Sequence, residues 1–146
     1  MNSKKSAAEQ SRIEALSAAP KDSVATLRNV LRAGSLIFGL SALLLIAAPK
    51  LFNQLLGFTS FAELEWAMRM IGITLVALSA NMYSVASRGS NASVIFSARV
   101  MVACAFALGV LTLLLPVGLT WFAIAYSAVG FSFSAAYAVV LLRKQL

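Results

Sequence analysis

A few polar side chains lie inside apolar stretches of this chain, and they mark where chemistry could occur. Arg69 falls one turn into the run from Trp66 to Ala86, with Glu65 four residues before it. Glutamate N-terminal to arginine at this spacing is the favourable order for an ion pair across one helical turn. The pair has two readings. One is an arginine that snorkels to the interface while bonded to a helix-capping glutamate. The other is a site for an anion or lipid headgroup at the outer mouth of a bundle. Arg99 lies deeper from the end of its own run, yet a side chain of that length still reaches the surface. Asn81, with Ser79 and Ser84, offers interhelical hydrogen bonds worth about 1 kcal/mol or less in a membrane. Packing is its first expected role, and contact with a ligand or headgroup is the second.

What the chain lacks narrows the chemistry further. It contains no histidine, which removes the usual axial ligand of b-type haem, the commonest zinc ligand and the commonest general base. No lysine lies within an apolar run to form a Schiff base, and no Asp or Glu lies deep in one, so the carboxylate on which proton-coupled carriers depend is missing. The one cysteine, Cys104, sits among Ala103, Ala105 and Phe106 and can form no internal disulfide. No catalytic residue, metal site or cofactor is therefore assigned. Catalysis and proton-coupled transport are both disfavoured.

The elements that position these residues follow from composition. The chain has 146 residues, 60% hydrophobic and 12% charged, with a mean hydropathy of +0.86. That is too apolar for a soluble domain, so lipid must be its solvent. A spanning helix needs roughly 20 apolar residues, because each backbone polar group must be paired within the segment. Four stretches qualify, at about 31–48, 66–86, 94–115 and 118–142. The predicted fold is all-α: an integral membrane four-helix bundle, up-down-up-down, with a short interfacial segment between helices 1 and 2. Residues 1–22 form a polar tail and 23–146 the transmembrane domain.

Within the tail, Ser6-Ala7-Ala8-Glu9 fits a capping box for a short helix through Leu16, but only Ile13 and Leu16 could face a core, so the tail reads as frayed or disordered. The helix started by Asp22-Ser23 should run into the first span and stop before Pro49. Arg28 and Arg32, one turn apart, suit anionic headgroups. Ser60-Phe61-Ala62-Glu63 is a second capping box, and Gly89 is a candidate left-handed stop for the second helix. Lys50 to Thr59 is too apolar for an exposed loop. Leu51, Phe52, Leu55 and Leu56 would share a face, either as an interfacial anchor or as a lid over a lipid-like ligand near Arg69. Only Pro116-Val117-Gly118 separates the last two spans, which predicts a tight antiparallel hairpin. Small residues at four-residue spacing, Gly130, Ser134 and Ala138 with Ala105 and Gly109, permit close backbone approach, within the bundle or in a dimer.

Basic residues give orientation. Lys4, Lys5, Arg12, Lys21, Arg28 and Arg32 precede the first span, Arg88 and Arg99 flank the second connection, and Arg143 and Lys144 close the chain; the other side holds Lys50 and Arg69. The positive-inside rule places the N- and C-termini in the cytoplasm. Trp66 and Trp121 then meet at the outer interface. The formal charge of +7 is explained by this placement, and nucleic acid is not an expected partner. The matching spacing of Arg32 to Pro49 and Arg99 to Pro116 suggests two parallel hairpins, but between those anchors only Leu44 and Leu111 coincide. Arginine at one interface and a proline stop at the other explain the match without duplication.

From Arg28 to Arg88 the chain resembles small four-helix bacterial membrane proteins of the DoxX-like and related families. The resemblance rests on Ala48-Pro49 closing the first helix, the Leu55-Leu56-Gly57 connector, and Arg69 followed by Gly72. It implies a four-helix bundle in the bacterial inner membrane and, for some members, association with quinone-linked redox complexes. It carries no catalytic residue to this chain. The expected function is a non-catalytic membrane component, either an accessory subunit or a small bundle that binds a partner helix, lipid or quinone-like molecule. Its expected partners are the lipid bilayer and a larger membrane complex or homo-oligomer. The alternative is an oligomeric transporter or channel for small molecules or anions, with Arg69 or Arg99 facing a shared pore.

Overall fold

A computed structural model describes residues 21–142. The helices are α1 (Lys21–Ala47), α2 (Pro49–Leu55), α3 (Ala62–Arg88), α4 (Asn91–Leu113) and α5 (Trp121–Leu142). All but α2 are long and apolar enough to span a membrane. The fold is thus the all-α, four-span bundle expected, with a short interfacial helix after the first span. The predicted tail helix from Ser6 to Leu16, and Arg143 and Lys144, lie outside the described residues.

At 1.5 Å per residue, α1 is about 40 Å long, which exceeds the roughly 30 Å of bilayer hydrocarbon, so its first turns stand outside the apolar layer. The backbone breaks at Ala48, and Pro49 opens α2 at a position where its missing N–H is not needed. Phe52 and Asn53 are buried while Leu51 faces outward, so the four apolar residues of this segment do not share one inward face. Gly57 ends the segment at φ +88°, a left-handed conformation in which a side chain would be strained.

The helices associate as two antiparallel pairs, α1 with α3 and α4 with α5, and α1 also touches α2, α4 and α5. Gly72 sets the approach of the first pair. A Cβ there would lie 2.7 Å from Ile46 Cγ1 and 3.2 Å from the Ala42 carbonyl oxygen. In the second pair, a Cβ at Gly130 would meet the Ala105 carbonyl oxygen at 3.0 Å. Ser134 donates across the same interface to the Val102 carbonyl at 2.9 Å. The small-residue pattern is therefore used inside the chain. The connection between these helices runs from Leu114 to Thr120, longer than the Pro116-Val117-Gly118 triad suggests. Thr120 caps α5 by accepting from the Ala123 N–H, and its hydroxyl donates to the Leu55 carbonyl at 2.7 Å, fastening α2 to the start of α5.

Two cores fill the bundle. Near the ends of α3 and α5, Leu27, Leu31, Met82, Val94, Met101 and Tyr137 pack together. At the opposite end Leu45, Phe52, Leu56 and Ala123 do so, with Phe52 edge-on to Phe122 at 5.7 Å between centroids. Trp66 and Trp121 are both exposed at this second end, as interfacial anchors would be.

Three local expectations are corrected. Arg28 does not face headgroups; its guanidinium donates to the Ala86 and Gly89 carbonyls and to Asn91 Oδ1. Gly89 is extended, at φ −68° and ψ 150°, with its N–H closing the helix on the Val85 carbonyl. Nor does Ser60 close a capping box. The N-cap is Phe61 with no side-chain bond, and the Ser60 hydroxyl donates to Glu65 Oε1 at 2.9 Å while accepting from Asn53 Nδ2 at 3.3 Å.

Candidate functional site

Because α3 leans on α1 and only sparingly on α4, a lateral cleft remains between α3 and α4. It has two chambers. The inner one, about 540 Å³, lies between Leu78, Asn81 and Val85 of α3 and Ser93, Ser97 and Phe96 of α4. The outer one, about 210 Å³, is roofed by Phe52 and Leu56 of α2 and walled by Ile71, Leu75, Leu108 and Tyr126. Leu75 and Leu78, one turn apart on α3, line one chamber each, so the two follow each other along the helix.

Polarity is uneven along the cleft. In the outer chamber Thr112 spends its hydroxyl on the Leu108 carbonyl at 2.7 Å, which leaves an apolar lining. In the inner chamber neither Asn81 nor Ser97 has a hydrogen-bond partner among the described residues. Asn81 is exposed to the cleft and Ser97 is half-buried in it, so both side chains are open to a molecule that enters. Asn81 can both donate and accept, and Ser97 can do the same. Together they suit a carbonyl or hydroxyl oxygen carried by an otherwise apolar molecule. They supply no general base, so the Ser97 hydroxyl has no partner in the chamber lining that could activate it as a nucleophile. Among the described residues there is no group of three His, Cys, Asp or Glu side chains that could hold a metal.

The four residues singled out from sequence do not converge. Asn81 lines the inner chamber. Glu65 and Arg69 stand at the α2 end of the bundle, where Glu65 is bonded to Ser60 and no ion pair joins it to Arg69. Arg69 is exposed and lines neither chamber, although its neighbour Met68 lines the outer one. Arg99 is exposed on the N-terminal half of α4, again outside the chamber lining. The apolar segment that could have been a lid does roof a chamber, through Phe52 and Leu56. Ser93 and Ser97 escaped notice because serine near a span end is common, and only the separation of α3 from α4 gives them a role.

No family model, curated protein or solved structure matches this chain. The resemblance of residues 28–88 to DoxX-like proteins gains no support from these comparisons.

Proposed function

We propose that this chain is a non-catalytic membrane bundle that holds a lipid-like molecule with a hydrogen-bonding ring or head, of the quinone kind, in the cleft between α3 and α4. The observation that supports this reading is the pair Asn81 and Ser97, whose side chains have no hydrogen-bond partner among the described residues, on facing walls of the inner chamber. An apolar outer chamber in line with them would take the tail. The quinone assignment also draws on the DoxX-like resemblance. The distribution of Lys and Arg supports both termini on the cytoplasmic side, and the bacterial inner membrane draws on the same resemblance.

The test is native mass spectrometry of protein extracted in mild detergent, combined with titration of a short-chain benzoquinone against intrinsic tryptophan fluorescence. Wild type should retain a small hydrophobic molecule and bind the probe, and Asn81→Leu should weaken binding about fivefold to tenfold, the worth of one neutral hydrogen bond. Equal binding by both proteins would sink the reading. A larger complex in the same spectrum would mark an accessory subunit. A homo-oligomer without small-molecule mass would favour the transporter, for which Arg69 and Arg99, exposed and without ion pairs among the described residues, are candidate cations.

A further inference from the structure

On the other flank of α3 a separate groove of about 650 Å³ runs between α1 and α3. Leu36, Leu40 and Leu43, at one-turn spacing on α1, form one bank, and Val76 and Tyr83 of α3 form the other. The floor is made of small residues, Ser35, Gly39, Ser79 and Ala80. Its hydroxyls are already used. Ser79 donates to the Ser35 carbonyl at 2.6 Å, and Ser35 donates to the Arg32 carbonyl at 2.8 Å. The floor therefore offers no free donor, and the banks are hydrocarbon, so the channel suits an alkyl chain.

One end of the channel is different. Arg32 stands there, exposed, its guanidinium with no hydrogen bond or ion pair among the described residues. Gly34 and Met82 approach each other across the antiparallel pair, which brings Tyr83 level with Arg32 at the same mouth. From Arg32 to Leu43 the helix rises about 16 Å, close to half of the ~30 Å hydrocarbon layer. The groove is as long as one leaflet is deep. Its neighbour Arg28 is committed to the α3 terminus, which leaves Arg32 as the cation at the mouth, with exposed Arg88 at the end of the same helix pair.

We infer that this groove is a site for an anionic phospholipid of the leaflet on the side of the chain termini, with an acyl chain along Leu36, Leu40 and Leu43 and the phosphate on Arg32. Arginine presents a planar fork that matches phosphate oxygens, and the Tyr83 hydroxyl can add a further donor. The site is independent of the α3–α4 cleft, because it lies on a different flank of α3 and uses none of the residues of either chamber.

The experiment reconstitutes full-length protein in nanodiscs of equimolar phosphatidylglycerol and phosphatidylcholine and reads the lipids retained by native mass spectrometry, alongside thermal melts in detergent with each lipid added. Wild type should retain phosphatidylglycerol preferentially and be stabilised by it. Arg32→Gln should reduce retention about tenfold, the scale of a lost charge-assisted contact. Ala80→Leu, which puts bulk on the floor at an exposed position, should reduce it comparably with the cation intact. Ala128→Leu, also at an exposed position but on α5, should change nothing. Equal retention of the two lipids by wild type would overturn the assignment, as would retention unaffected by Arg32→Gln. Loss with Arg32→Gln but not with Ala80→Leu would overturn it too, since that pattern describes diffuse surface charge. A second copy of the chain on this face, displacing lipid mass, would likewise count against it.

Discussion

The guanidinium of Arg28 holds the Gly89 carbonyl at 2.8 Å, although 61 residues separate the two in sequence. The same fork reaches the Ala86 carbonyl at 3.0 Å and Asn91 Oδ1 at 3.2 Å. One side chain thereby satisfies the exposed carbonyl end of α3, favours its negative dipole end, and fixes the turn into α4. Arg28→Ala should lower stability by about 1.5–3 kcal/mol, the range for hydrogen bonds to a charged group. Arg28→Lys should recover only part, because an ammonium lacks the planar fork that reaches several acceptors at once. Thermal unfolding in detergent of the three proteins measures this, and a lysine variant as stable as wild type would refute the fork argument.

At the other end of α3 the prediction is a contrast between neighbours. Ser60 links buried Asn53 to Glu65, so Ser60→Ala leaves the Asn53 amide without its partner and should cost about 1–3 kcal/mol. Arg69→Ala removes an exposed cation that bonds to nothing described and should cost less than ~0.5 kcal/mol. Melts of both variants, with limited proteolysis of the segment from Pro49 to Phe61, would show the difference. A larger loss at Arg69 than at Ser60 would restore the Glu65–Arg69 pair to importance.

Gly130→Leu should be among the most damaging single changes, since even a Cβ would press on the Ala105 carbonyl at 3.0 Å and the Gly109 nitrogen at 3.2 Å, both backbone atoms that cannot swing away. Overpacking of this kind costs about 1–3 kcal/mol or more. Ala128→Leu, two residues away on the exposed side of the same helix, should be tolerated. The yield of monodisperse protein and its melting temperature report both.

Orientation is tested with single cysteines on a Cys104→Ala background. Lys50→Cys should react with a membrane-impermeant maleimide in intact cells, while Ala92→Cys should react only after permeabilisation. The reverse pattern would invert the topology drawn from the basic residues.

The spans were legible because lipid imposes a requirement that sequence cannot hide: long apolar runs broken by Pro49, Gly89 and Pro116. The α4–α5 contact was legible too, since Gly130 and Ser134 permit an approach that larger residues forbid. Two kinds of feature were not. Arg28 reads equally well as a headgroup ligand or as a cap, because its acceptors are backbone carbonyls 58 and 61 residues away that no local pattern announces. The cleft was hidden for a different reason. A helix face that touches lipid and one that touches another helix are both apolar, so nothing in Leu78, Val85 or Phe96 says that α3 and α4 stand apart. Asn81 was visible as an oddity, and its place in the cleft was not.

The contacts of α1 with every later helix bear on the order of assembly. Chains are made from the N-terminus, and segments begin to organise as they emerge. The first span to enter the bilayer is thus the one against which α2, α3, α4 and α5 are each received in turn, with Gly72 and then Arg28 closing on α3 before α4 exists to compete. The last hairpin needs little from α3 to form, because Gly130 and Ser134 bind it to its own partner. Biogenesis by this route completes the α1–α3 half before α4 and α5 are laid against it, and because α3 is then held by α1 and only sparingly by α4, the flank of α3 that faces α4 stays open to the bilayer.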